Sequence, residues 1–234
     1  MINAVFFDWF GTLAHYDPPR EEVQSQVLQE LGFNVSPEDI RRGLLIADKE
    51  FYENSAASAG EERSPEERAR LMARYQERVL SEAGVDATEE LVTRTRARLR
   101  ELLTGMSFAP YHDVLPTLKM LKERNLTLGL LTNWRRDLSP VCRQLGMEPY
   151  LDFALSSGEV GAEKPHPTIF RLALEQAGVT ADEAIHVGDQ YTVDVVGARS
   201  VGIMPILIDR ADIYPDVSDC PRIRGLTELM EYLN

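Results

Sequence analysis

Five short apolar runs, each closing on a polar or small residue, constrain this 234-residue chain more than any other feature. They occupy residues 4–7, 127–131, 153–155, 184–187 and 205–208. Continuous apolar runs of this length suit strands covered on both faces. Helical spacing fills most of the intervals. Within 114–124, Leu115, Leu118, Leu121 and Lys122 recur three or four residues apart. The stretches 139–145 and 168–177 behave similarly and end before Gly146 and Gly178, the residue type that best closes a helix. Strands alternating with helices need crossover connections, so the expected fold is α/β, a doubly wound parallel sheet with helices on both faces. Ligands of such sheets bind beyond the carboxyl ends of the strands, where the polar residues closing each run should converge.

The alternation breaks once. Between Leu13 and about Phe108 no strand-like run occurs. Helical patterns cover 21–31, 37–54, 65–83 and 88–103, with a Ser-, Ala-, Gly- and Glu-rich loop over 54–64. Ser36-Pro37-Glu38-Asp39 and Ser64-Pro65-Glu66-Glu67 read as helix starts, with Ser at the cap, Pro in the first turn and acids at the positive dipole end. The expected organisation is a Rossmann-like core from 1–14 and 104–234, with 15–103 forming a smaller all-helical cap. No internal repeat or low-complexity tract is visible.

Composition narrows the function. Hydrophobic content of 44% and charged content of 27% describe an ordinary globular protein. A net charge of −13 disfavours non-specific binding to nucleic acid, which needs many Lys and Arg contacts to phosphate. It leaves room for a small anionic substrate, which a few local positive groups and a cation can hold. No run of 18 apolar residues suggests a membrane span, and the N-terminus lacks the basic start and long apolar stretch of a signal peptide. Two cysteines, Cys142 and Cys220, offer neither a disulfide framework nor metal-ligand spacing. A cytoplasmic protein acting on a small molecule, without nucleic-acid or membrane partners and as monomer or homodimer, is expected.

Four polar clusters follow apolar segments. Asp8-Trp9-Phe10-Gly11-Thr12 places a carboxylate at a strand end beside a glycine that permits a tight turn. Thr132-Asn133-Trp134 offers a hydroxyl, an amide and backbone N–H groups that could hold an anion. In Glu163-Lys164-Pro165-His166-Pro167-Thr168, two prolines stiffen the approach to a helix behind Lys164. Gly188-Asp189 and Asp194 supply two carboxylates suited to a hard cation, although Asp194 could equally open a helix. Each cluster alone has an ordinary structural explanation as a turn, a solvated lysine or a helix start.

As an ordered set, the clusters resemble the signature of the haloacid dehalogenase superfamily. Its pattern runs Asp-x-Asp-Gly-Thr, then Ser or Thr, then Lys, then Gly-Asp with a further Asp. The resemblance covers about Ala4 to Ile208. Ser156-Ser157-Gly158-Glu159 leading into Lys164-Pro165-His166-Pro167 looks like the phosphatase-like branch with a helical cap inserted after the first strand. It implies a hydrolase with Asp8 as covalent nucleophile and Mg²⁺ held by Asp8, Asp189 and the backbone carbonyl of Phe10, with Asp194 nearby. It further implies that Lys164 offsets the clustered negative charge and that Thr132, Asn133 and Lys164 hold the transferring group. The implied reaction is phosphohydrolysis of a small metabolite.

The chain departs from the phosphatase pattern at Phe10, where that pattern has a second aspartate serving as general acid/base. A phenyl ring transfers no proton, and such groups contribute about 10²–10⁴-fold. Haloacid dehalogenases carry an aromatic residue there, since halide leaves without a proton, but they usually lack the acid present here as Asp189. Phosphonoacetaldehyde hydrolases resemble Asp8-Trp9-x-Gly11-Thr12 and use a cap lysine. Lys49 is the only lysine in 15–103. A phosphoryl donor with a good leaving group, or a non-catalytic binding role, would also tolerate Phe10. Elsewhere, His15 reads as turn structure, His112 lacks matching ligands, and His186 reads as core packing. Arg94, Arg96, Arg98 and Arg100 read as a solvated face. Arg41, Arg42 and Arg63 could meet an anionic substrate.

Overall fold

The computed structural model describes residues 1–57, 64–103 and 107–233, so Arg63 lies outside it. Six strands form one parallel sheet: β1 (Ala4–Phe7), β4 (Thr127–Thr132), β5 (Phe153–Ser156), β6 (Ala184–Gly188), β7 (Met204–Ile208) and β8 (Arg222–Ile223). Their order is β5-β4-β1-β6-β7-β8. The chain builds outward from β1 through β4 to β5, then returns across to β6 and builds outward the other way. The order therefore reverses between β1 and β6, the position where open α/β sheets place their ligands.

The period of a strand explains how β1 is covered. Val5 and Phe7 join Leu128, Leu130, Ile185 and Val187 in a core beneath Val114, Leu118 and Leu121 of α5 (Val114–Glu123). Ala4 and Phe6 face the other way, with Leu131, Ala184 and Ile169, Phe170 and Ala173 of α8 (Pro167–Ala177). Alternate residues thus serve opposite layers. Both β1 phenylalanines are fully buried, each stabilising the fold by about 1.5–3 kcal/mol through apolar burial. Gly129, paired with Phe6, leaves its place to the Phe153 ring, which any side chain at 129 would strike. The remaining core helices are short: α6 (Ser139–Gln144), α7 (Ser157–Val160) and α9 (Val196–Arg199).

The described residues divide into two compact units. One contains Met1–His15 and residues 108–233; the other contains Tyr16–Ser55, residues 64–103 and Ser107. The second is built from α1 (Arg20–Glu30), α2 (Pro37–Ala57), α3 (Pro65–Glu82) and α4 (Glu89–Leu103). Leu28, Ile40, Leu44, Val79, Leu80, Leu91 and Val92 form its core. At the start of α3, Ser64 accepts from the Glu67 N–H while Glu67 accepts from the Ser64 N–H, a reciprocal cap. Arg41, Arg42, Arg94 and Arg98 pair with acids of the same unit. Arg20 pairs with Asp48, whose other oxygen accepts the Tyr75 hydroxyl at 2.7 Å.

The strand-free reading of the 13–108 interval needs a correction. β2 (Ala14–Asp17) and β3 (Ser107–Pro110) pair in a separate two-stranded sheet where the chain passes between the units. β2 is not an apolar run, and β3 offers only Phe108 and Ala109 between a serine and a proline, so pairing with the other defines each. β8 escaped the sequence reading for the same reason, being two residues that pair with the edge of β7.

Candidate active site

The sheet register brings three of the four clusters together before any side chain is considered. Phe7 lies opposite Leu130 of β4 and Val187 of β6. One step further on, Asp8 therefore stands between the ends of these strands, with Thr132 on one side and Asp189 on the other. The Asp8 N–H donates to the Val187 carbonyl at 2.9 Å, continuing the ladder up to Asp8. Gly11 then turns the chain at φ +83°, and a side chain there would strike the Asp189 carboxylate. Gly188 is equally constrained, because a Cβ would collide with Asp194. Both glycines are required by the close approach of carboxylates.

Lys164 comes from the loop before α8, and its side chain is only 1% exposed. Its ammonium donates to Asp8 Oδ1 at 2.6 Å and to Asp194 Oδ1 at 2.7 Å. A buried ammonium is tolerable only when paired in this way. Asn133 fixes the loop: its Oδ1 accepts the Lys164 N–H at 2.7 Å and its Nδ2 donates to the Lys164 carbonyl at 2.9 Å. The Asn133 side-chain amide thus acts on the site through the position of Lys164. Thr132 is buried, and its hydroxyl oxygen accepts the Trp134 N–H at 3.1 Å.

Asp8, Asp189 and Asp194 can each turn one carboxylate oxygen to within 4.8 Å of the others. Three such carboxylates facing one lysine leave excess negative charge in a desolvated place. Burial pushes Asp8 up to about 6, against the pull of Lys164. Burial likewise raises Asp189 well above the usual carboxylate range, and Asp8 and Asp194 add to the rise. Asp194 goes the other way. Burial opposes its ionisation, but the Lys164 ammonium and the His186 hydrogen bond hold it well below the ordinary value. Burial also opposes charge on Lys164, yet Asp194 and Asp8 hold its pKa above normal. An all-oxygen donor set with uncompensated charge fits a hard divalent cation. Phe10, whose carbonyl the sequence reading placed in that set, bridges to Ala14 and packs its half-buried ring against the larger core cluster.

Three participants were missed in the sequence. His186, read as core packing, does pack edge-on against Phe170 at 5.1 Å, but its Nε2 also lies 3.0 Å from Asp194 Oδ1. A polar residue inside an otherwise apolar run was the available signal. Gln190 donates its backbone N–H to Asp194 Oδ2 at 3.1 Å and its side-chain amide to Asp189 Oδ2 at 2.7 Å. Arg210 reaches across from the end of β7, donating to the Thr12 carbonyl and to both oxygens of Asp113, each at 3.0 Å. Nothing in the sequence marks that last contact. His15 lies in β2 rather than in a turn, its ring 4.9 Å from that of Tyr111.

A Rossmann-ordered sheet with an aspartate–lysine ion pair and clustered carboxylates at the switch point defines an α/β protein whose candidate catalytic centre lies at the strand ends. The chain belongs to the haloacid dehalogenase-like hydrolases, whose family model matches residues 2–202. It is 29% identical over 222 residues to a glyceraldehyde 3-phosphate phosphatase of Methanopyrus kandleri, covering 90% of this chain and 85% of that protein. It is 28% identical over 217 residues to a ribulose-1,5-bisphosphate 5-phosphatase of Halopiger xanaduensis, covering 91% and 87%. Among solved structures, a 2-haloacid dehalogenase from Pseudomonas syringae pv. Tomato is similar at 29% identity and a TM-score of 0.56, over 100% of this chain and 98% of that one. No helix among the described residues is long and apolar enough to cross a membrane.

Proposed function

We propose that this hydrolase is a Mg²⁺-dependent phosphohydrolase of small phosphorylated metabolites, with Asp8 as nucleophile and a preference for good leaving groups. The observation that carries this reading is the Lys164 ammonium held between Asp8 and Asp194, with Asp189 turned toward the same point. An Asp8 oxygen attacks phosphorus, the bond to the leaving oxygen breaks, and that oxygen takes the electron pair. Water then attacks the aspartyl phosphate, releasing inorganic phosphate and restoring Asp8. Lys164, Thr132 and the Asn133 backbone N–H stabilise charge on the phosphoryl oxygens, the contribution that dominates such transfers. Asp8, Asp189 and the Phe10 carbonyl would hold Mg²⁺, with Asp194 nearby; when bound, the ion supplies further charge neutralisation. Residues 15–103 act as the cap that excludes water and sets substrate choice.

Phe10 motivates the preference for good leaving groups, because position 10 supplies no proton to a departing alkoxide. The similarity of the M. kandleri and H. xanaduensis proteins favours a phosphate substrate. Phe10, together with the likeness to the P. syringae enzyme, favours 2-haloacid dehalogenation as the second reading. The test is a panel of phosphate esters of graded leaving-group pKa, acyl phosphates, phosphonoacetaldehyde and 2-haloacids, each with and without Mg²⁺. Mg²⁺-dependent turnover rising steeply as the leaving group becomes less basic is expected. Halide release without Mg²⁺, and no phosphate release, would replace this reading with the dehalogenase.

Metal binding has its own expected signature. With Asp8 at about 6 in the fold against 3.8 unfolded, the metal-free fold holds more protons between those values, so it loses stability as pH rises through that window. Asp189 acts in the same direction. A cation that binds the ionised carboxylates should restore that loss. Mg²⁺ at ten times its dissociation constant stabilises by about 1.4 kcal/mol, raising Tm by roughly 3–6 °C for a chain of this size. Differential scanning fluorimetry should show this gain at pH 7.5 and a smaller one at pH 5. An equal gain at both values would mean that the ion does not bind these carboxylates.

A further inference from the structure

We infer that His186 is a positioning residue: its Nε2–H donates to Asp194 Oδ1 and so fixes the carboxylate that holds Lys164 against Asp8. The inference rests on reading Asp8 and Lys164 as the reacting pair and extends that machinery one residue into the core.

The argument starts from where His186 lies. In β6 it pairs with Phe6 and faces the apolar layer formed by Phe6, Phe170 and Ala184. The residue is fully buried. A polar side chain placed there costs stability unless it is hydrogen-bonded, and an unsatisfied buried group costs about 1–3 kcal/mol. Nε2 is satisfied by Asp194 at 3.0 Å, whereas Nδ1 has no partner. Only one tautomer suits this arrangement. Asp194 Oδ1 is an acceptor, so Nε2 carries the hydrogen and Nδ1 keeps a bare lone pair.

Asp194 shows what the bond does. Its Oδ1 accepts from both Lys164 at 2.7 Å and His186 at 3.0 Å, while Oδ2 accepts from the Gln190 N–H at 3.1 Å. Gly188 lies against the same carboxylate with no room for a side chain. One face is therefore closed by backbone, and His186 supplies the donor from the core side. Without it, Asp194 Oδ1 would answer to Lys164 alone, and the two could shift together away from Asp8. Groups that orient the partners of a metal or reacting pair in this way typically contribute about 10–100-fold in activity or metal affinity.

Two variants separate positioning from packing. His186→Phe keeps a ring against Phe170 and deletes the donor; His186→Gln places an amide N–H near the Nε2 position. With Mg²⁺ saturating and p-nitrophenyl phosphate as substrate, His186→Phe should lower kcat about 10-fold with KM changed less than about twofold. Its calorimetric affinity for Mg²⁺ should also weaken, and His186→Gln should recover most of both. Nitrogen-15 NMR of the wild type should show His186 protonated at Nε2 and bare at Nδ1. A proton on Nδ1, or wild-type kcat and Mg²⁺ affinity in a folded His186→Phe, overturns the inference. So does parallel loss in both variants that simply tracks a lowered Tm. A wild type that releases no phosphate from any ester overturns the phosphatase reading instead, leaving His186 to be judged by the tautomer and the Mg²⁺ titration.

Discussion

Asp8→Asn should reduce kcat by about 10⁴–10⁶-fold while leaving the fold intact. An amide has no carboxylate oxygen to attack with, and no other carboxylate is placed to replace it. Burial, with the nearby Asp194 charge, draws Asp189 toward a neutral carboxyl, and Asp194 is engaged by Lys164, His186 and the Gln190 N–H. Stability should move little, or rise, in the metal-free protein. Burial already disfavours charge on Asp8, and an asparagine Oδ1 can still accept from Lys164. Nucleophilic and structural roles therefore predict opposite pairings of results. Lost turnover with unchanged Tm marks the nucleophile. Retained turnover of the best substrate would remove Asp8 from the chemistry, and lost turnover with a collapsed Tm would make it structural. A Mg²⁺-induced Tm gain that shrinks in the variant would tie the same carboxylate to the cation.

The parts of this molecule legible in the sequence are those governed by local pattern. Apolar runs without alternation gave β1, β4, β5, β6 and β7; β1 and β6, covered on both faces along their whole length, need no polar side. Helix starts at Ser36 and Ser64 followed from capping chemistry, and their hydroxyl oxygens accept the Asp39 and Glu67 N–H groups in that way. Asp8, Lys164, Asp189 and Asp194 were legible as an ordered set, and the structure gathers them at one sheet end. What stayed hidden depends on partners distant in sequence. β2 and β3 are strands only through each other, and β8 only through the edge of β7. Arg210 meets the Thr12 carbonyl across 198 residues. His186 was visible as an oddity inside a strand, but the carboxylate that explains it sits on the following turn. Its direction depends on a π-helical segment, Tyr191–Val195, that propensity does not foretell.

Phe10→Asp should raise turnover of simple phosphate esters by about 10²-fold, provided the ring does no more than occupy the place of a proton-transfer group. An aspartate there would enter an apolar wall, since Phe10 packs against the larger core cluster, and it would lie two residues from Asp8. Partial burial and nearby negative charge both favour the protonated carboxyl. That is the form a general acid needs before the leaving oxygen departs. The substitution should also lower Tm, because a half-buried ring is replaced by a group that leaves space and invites water. The gain must therefore be measured well below the variant's Tm. Leaving-group dependence gives the sharper readout: steep in the wild type, shallow in Phe10→Asp, with the largest gains on alkyl esters and little on acyl phosphates. A wild type already shallow would mean that another residue donates the proton. His15, the nearest imidazole in sequence after Asp8, would then be tested by His15→Gln. If Phe10→Asp gains nothing on esters and loses activity on the best natural-type substrate, the ring shapes a pocket for a leaving group that departs unaided. Among the substrates in the panel, acyl phosphates and 2-haloacids share that property, and the Mg²⁺ requirement separates them.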